Sequence, residues 1–201
     1  MIRRCFEMLW QKTFRRQFVI FVAELTKLNH EEIVMPQNFI VECRKNDGEV
    51  TKAELETLMY YGGEQIIRYE LEERFNKGAY LWLMKVDGEA VGMVWTIRQR
   101  TLKPYYWPMT SNDVHCFDNE VFRDYRGRGI NSFLINYVVL KLKRKGFIRA
   151  FIETSKDNKP EIISLSKTFF AELGRATRLN LLGYNIIIWS KSGCRKAASQ
   201  S

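Results

Sequence analysis

The chain is poor in the residues that build metal cages and disulfide frameworks, with two histidines and four cysteines among 201 residues. Cys5, Cys43, Cys116 and Cys194 lie tens of residues apart and form no C-x-x-C pair, which argues against a zinc site. No apolar run exceeds that of Phe18–Ala23, far short of the roughly 20 residues a membrane-crossing helix needs. Met1-Ile2-Arg3-Arg4 is basic, yet no apolar stretch and small-residue cleavage site follow it. The expectation is therefore a cytoplasmic chain with reduced thiols and no membrane span. Internal repeats and low-complexity tracts are missing as well.

What is present suffices for a core. The chain is 46% hydrophobic and 13% aromatic, which excludes a disordered tail. Its net charge of +9 favours a polyanionic partner: nucleic acid, an anionic membrane surface or a phosphorylated cofactor. Length allows one domain with an extension. Residues 1–37 are read as an N-terminal extension packing on or preceding a sheet, 38–190 as the domain, and 191–201, polar and small, as a tail.

Local signals place the elements. Gln17–Glu24 is rich in β-formers, and Asn38–Cys43 reads as a strand ended by Asp47-Gly48. Thr51-Lys52-Ala53-Glu54 has the form of a capping box and starts a helix that Tyr61-Gly62-Gly63 breaks. A second helix starts near Glu64, with Ile67, Leu71 and Phe75 on one face and Gly78 past its end. Ala79–Val86 and Glu89–Ile97 flank Asp87-Gly88, which predicts an antiparallel hairpin. Pro104 and Pro108 make Arg100–Ser111 a loop rich in rings, Tyr105, Tyr106 and Trp107. Then come a strand Val114–Phe122, a helix Gly127–Lys145, a strand Ile148–Glu153, a helix Pro160–Phe169 and a β region Ala171–Trp189. The fold class is α+β, in α/β/α layers, with a mixed, mostly antiparallel central sheet flanked by helices.

One junction carries chemistry. Val121-Phe122-Arg123-Asp124-Tyr125-Arg126-Gly127-Arg128-Gly129-Ile130-Asn131 leaves a strand and enters a helix through two glycines one residue apart. Amides exposed at a helix N-terminus, flanked by Arg123, Arg126 and Arg128, suit a pyrophosphate. A G-x-G turn can equally serve to tighten a strand–helix junction. A Walker A loop is absent, and the dinucleotide fingerprint fails at Ser132, where its third glycine would stand.

Arg126-Gly127-Arg128-Gly129-Ile130-Asn131 resembles the acyl-CoA pyrophosphate loop, R/Q-x-x-G-x-G/A, of the GCN5-related N-acetyltransferase (GNAT) superfamily, and the order of elements from Asn38 to Trp189 is similar too. Asn158, Lys167 and Phe169-Phe170 sit where many members have N-x-x-A/S, a lysine and a closing Gly-Phe. The sequence departs from the pattern at three positions. Asn131 replaces a small loop residue, Phe169 replaces glycine, and Leu165 stands where a tyrosine often protonates the departing thiolate.

The resemblance implies direct transfer of an acyl group, most simply acetyl from acetyl-CoA, to an amine, without a covalent enzyme intermediate and without a metal. It implies cofactor contacts at Val121, Phe122, Arg123, Arg126, Gly127, Arg128, Gly129, Ile130, Asn131, Asn158 and Lys167. The backbone N–H of Asn119 would polarise the thioester carbonyl. An amine arrives protonated and needs a base or a water chain. His115, eleven residues before Arg126, is the first candidate, as a side chain that titrates near neutrality; it can equally be an ordinary strand histidine. Glu120 and Glu153 follow it. The acceptor is expected to be a small-molecule or peptide amine, with an anionic one and a homodimer both compatible with the sequence. The alternatives are a basic nucleic-acid-binding module, suggested by the net charge, Arg15, Arg16 and the rings but lacking a recognition pattern, and a degenerate acyltransferase fold that only binds CoA or a partner.

Overall fold

In the computed structural model, which describes residues 15–29, 33–99, 108–181 and 184–190, the strands are β1 (Arg15–Glu24), β2 (Phe39–Arg44), β3 (Tyr80–Val86), β4 (Glu89–Arg98), β5 (Asp113–Val121), β6 (Arg149–Ser155), β7 (Ala171–Leu181) and β8 (Tyr184–Ser190). Helices α1 (Lys52–Gly62) and α2 (Glu64–Asn76) join β2 to β3; α3 (Ile130–Arg144) joins β5 to β6, and α4 (Lys159–Leu165) joins β6 to β7. One eight-stranded sheet runs β2-β3-β4-β5-β6-β1-β7-β8, antiparallel at every pairing except β5 with β6. This is the mixed, mostly antiparallel α+β architecture expected.

Several elements form for the local reasons given. Thr51 Oγ1 accepts from the Glu54 amide at 3.3 Å while Glu54 Oε2 accepts from the Thr51 amide at 2.9 Å, closing the capping box. Glu54 is also ion-paired to Arg44 and, at 2.7 Å, to Lys85, so α1 is tied to β2 and β3. Asp87 and Gly88 both have positive φ, 53° and 86°, as a two-residue type I′ turn requires.

The core lies on both faces of the sheet. Leu134, Ile135, Val138 and Val139 of α3 and Leu165 of α4 pack on Val94, Val114, Cys116, Ile152 and Phe21. Leu58, Ile67 and Leu71 of α1 and α2 cover Leu81, Leu83, Met93, Trp95 and Phe117 on the other face. Each large aliphatic side chain fully buried there contributes about 1.5–3 kcal/mol.

Two elements differ from the sequence reading. β1, assigned to an extension, is an interior strand between β6 and β7. Val19, Phe21 and Ala23 are buried with the α3 cluster and Ile20 with Ala176 in a separate one, so a boundary at 37/38 cuts through a continuous sheet. The helix predicted over Pro160–Phe169 starts at Lys159 and stops at Leu165. There Ser166 and Thr168 donate to the Ile163 and Leu165 carbonyls at 2.8 and 2.6 Å, and the Phe169 amide goes to Asn136 Oδ1. The β region expected over Ala171–Trp189 is present, as the hairpin of β7 with β8. The loop rings Tyr105, Tyr106 and Trp107, the tail from residue 191 and the first fourteen residues lie outside the described residues.

Position of the site follows from β5. It pairs with β6 over three residues only, Asp113–His115 with Arg149–Phe151. Asp113 is fully buried there, and Arg149 Nε and Nη2 donate to its two oxygens at 2.8 and 2.7 Å. Burial opposes ionisation of Asp113, but the Arg149 fork and the donors of Thr110 outweigh it and hold the carboxyl below its usual range. Beyond His115 the two strands part. Against β4, Trp95 faces Phe117 but Met93 faces Glu120, so β5 carries one extra residue, with Asp118 at φ 44°. Gly92 permits the close approach that follows, because a Cβ there would lie 2.8 Å from the Glu120 carbonyl oxygen.

Candidate active site

A cleft of about 880 Å³ opens where β5 leaves β6. One wall is β5 from Asp118 to Val121; the others are the loop to α3, the first turn of α3, and α4 with the residues after it. Glu70 and Arg74 of α2 reach its far side.

The loop is shaped by its two glycines. Phe122, 1% exposed, anchors its start, with the Tyr61 ring stacked on it at 4.5 Å. Tyr61 Oη donates to Asp124 Oδ2 at 2.8 Å, and that carboxylate pushes the Tyr61 hydroxyl up to about 12. Gly127 and Gly129 have φ of 79° and 73°, and a Cβ on either would meet nothing within 4 Å. The requirement for glycine is therefore conformational, and the space before the loop is open. Gly129 is the N-cap of α3, no side chain caps that turn, and no acidic residue stands in it. Its amides are orphans carrying the positive end of the helix dipole, aimed at the cleft. Arg126 Nε donates to the Val121 carbonyl at 2.9 Å and Nη2 to Glu120 Oε1 at 3.0 Å, while Arg128 lies over the Tyr125 ring and Arg123 stays on the rim. The open loop, its amides and the Arg126 guanidinium fit a diphosphate.

Across the cleft runs a polar network. Asn119 Nδ2 donates to Glu161 Oε1 at 2.6 Å and to Asn131 Oδ1 at 3.1 Å. Asn131 Nδ2 donates to Glu161 Oε2 at 3.0 Å and to Ser164 Oγ at 2.9 Å, and Ser132 Oγ donates to the Ser164 carbonyl. Burial of Glu161 raises its carboxyl above the usual range, against the opposing effect of the Asn119 and Asn131 donors.

Of the residues expected to hold cofactor, Val121, Arg126, Gly127, Gly129, Ile130, Asn131, Asn158 and Lys167 line the cleft, as do Asn119 and Glu120. Phe122 lies beneath it, and Arg123 and Arg128 belong to the loop without lining it. Asn158 also caps α4, its Oδ1 accepting from the Glu161 amide at 3.3 Å. His115 does not line the cleft. It is 5% exposed, stacked on Phe117, with Nε2 2.8 Å from Glu153 Oε2. Leu165 is wholly buried in the core.

Two features had no counterpart in the sequence reading. Arg74, 4% exposed, lies over the Trp95 ring and pairs through Nη2 with Glu70 at 2.8 Å and Asp118 at 2.6 Å, which pins the bulge of β5. Glu161 was the other; its one signal is that it stands at the small position of N-x-x-A/S. Among the described residues no group of three or more His, Cys, Asp or Glu could hold a metal ion, and no helix is long and apolar enough to cross a membrane.

Comparison with known proteins bears on the family and the fold. The model of the acetyltransferase (GNAT) family matches residues 49–163. A GNAT-family acetyltransferase from Colwellia psychrerythraea superposes with a TM-score of 0.57 at 13% identity, covering 92% of this chain and 60% of that one. A GCN5-related N-acetyltransferase from Sphaerobacter thermophilus gives 0.53 at 15%, covering 86% and 54%. A conserved protein of unknown function from Staphylococcus epidermidis gives 0.58 at 11%, covering 86% and 64%. The chain thus spans less than two thirds of the length of these structures. No curated protein matches it.

Proposed function

Because the chain belongs to the GNAT family of acetyltransferases, we propose that it moves an acetyl group from acetyl-CoA to a primary amine by direct attack within a ternary complex. The observation that carries this reading is the uncapped N-terminus of α3, reached through two positive-φ glycines and opening onto the cleft between the end of β5 and α4. There the amides at 127–131 and the Arg126 guanidinium would hold the diphosphate, and the main chain of Val121 to Arg123 would run beside the pantetheine arm. The amide of Asn119, at the bulge, would face the thioester oxygen, where a fixed donor stabilises developing negative charge.

The acceptor would enter from the α2 side. Glu70, Asp118 and Glu120 stand there against Arg74 and Arg126. Three carboxylates to two guanidiniums suit a protonated amine better than the anionic acceptor that the overall charge suggests. Of the three sequence candidates for a base, Glu120 lines the cleft, while His115, stacked on Phe117, and its partner Glu153 do not. A second reading, a fold that binds CoA without catalysis, is favoured by the burial of Leu165 in the core.

Calorimetry with acetyl-CoA and with single-stranded and duplex nucleic acid tests the proposal. Micromolar binding of acetyl-CoA, lost in Gly129→Val because valine is strained at φ 73°, is the expected result. Nucleic-acid binding without cofactor binding rejects it. Thiol release across a panel of amines then separates the enzyme from the binding-only fold.

A further inference from the structure

An ammonium acceptor sheds two protons in acetyl transfer: the first leaves for solvent and frees the attacking lone pair, and the second must pass from the nitrogen to the departing sulfur. Four carboxylates line the cleft, Glu70, Asp118, Glu120 and Glu161. The first two are paired with Arg74 and the third with Arg126. Glu161 has no cationic partner among the described residues, and its oxygens accept from the neutral amides of Asn119 and Asn131. A carboxylate held by neutral donors can change charge without breaking an ion pair. Its Oε1 lies 2.6 Å from the side chain of Asn119, so it stands one side-chain length from the β5 main chain at the bulge. Burial makes it more basic than an ordinary glutamate.

We propose that Glu161 is the proton carrier of the transfer, taking a proton from the attacking nitrogen and delivering it to the sulfur. The inference rests on the acetyl-transfer reading above. As the N–C bond forms, the Glu161 carboxylate accepts a proton from nitrogen. As the C–S bond breaks, the electron pair stays on sulfur and the carboxylic acid returns that proton to it. The products are the amide and the free thiol, Glu161 ends as it began, and the only proton released to solvent is the one the ammonium lost before attack. The charged groups lining the same cleft are Glu70, Arg74, Asp118, Glu120, Arg126 and Lys167, and all are unchanged in the variant that tests the step.

The full chain and Glu161→Gln are compared in three measurements: calorimetric binding of acetyl-CoA, ultraviolet titration of the thiol of bound CoA, and turnover with the best amine of the panel. Glu161→Gln is expected to bind acetyl-CoA within about threefold of wild type while kcat falls about 100-fold, the scale of a lost general acid–base group. The limb of the kcat profile that falls towards low pH in the wild type should vanish. The thiol of bound CoA should titrate lower in the variant, because a neighbouring negative charge has gone. Wild-type kcat in Glu161→Gln, or an unmoved thiol titration, overturns the proposal. If the variant does not fold, the wild type decides alone: its bound thiol must titrate above free CoA, and a value at or below free CoA overturns the role. A wild-type chain that fails to bind acetyl-CoA overturns the acetyl-transfer reading as well.

Discussion

β5 is fastened at both ends, and the two fastenings differ in kind. At its start, buried Asp113 takes both arms of Arg149, a charged fork that locks β5 to β6. At the bulge, Asn119 reaches α4 through Glu161, a carboxylate wrapped in neutral amides. A bidentate charged pair over a buried group resists opening, whereas neutral donors can be exchanged for those of a ligand at small cost. The sheet is thus closed at the vertex of the cleft and exchangeable at its mouth.

Stability measurements break this contrast most sharply at the vertex. Arg149→Ala strands the Asp113 charge, and a loss of about 3–5 kcal/mol in unfolding free energy is expected from urea denaturation. At the mouth, Asn119→Ala removes one neutral donor and should cost about 1 kcal/mol. Equal losses at the two ends would erase the distinction.

A subtler test uses the opposite signs of the two carboxyls. Asp113 titrates below its ordinary value in the folded chain, so its stabilisation is complete above the unfolded value and is lost as pH falls through the lowered one. Glu161 titrates above its ordinary value, so its contribution is full below the unfolded value and is lost as pH rises through the raised one. Asp113→Asn should therefore flatten the acid-side decline of the urea midpoint, and Glu161→Gln should steepen it. Slopes that change in the same direction would contradict the assignment of one of the two carboxyls.

The vertex and mouth also mark how far the sequence could be read. The loop at Gly127 and Gly129, the capping box at Thr51 and the turn at Asp87-Gly88 were legible because each depends on φ, or on a donor and acceptor, a few residues apart. The Asp113–Arg149 fork joins residues 36 positions apart and the Asn119–Glu161 bond spans 42, and only the sheet order brings them together. β1 was misplaced for the same reason: its apolar run shows that it is buried, but not between which strands. Glu161 was hidden by its own local role, since its amide serves the Asn158 cap while its carboxylate works across the cleft.

The central claim, that the junction at Gly127–Asn131 grips the diphosphate of coenzyme A, is tested most directly by amide chemical shifts during titration with CoA and, separately, with pantetheine, which lacks the diphosphate. The amides of Gly127, Arg128, Gly129, Ile130 and Asn131 should move with CoA and stay in place with pantetheine. Saturating CoA that leaves those five amides unmoved while shifting others would contradict the account.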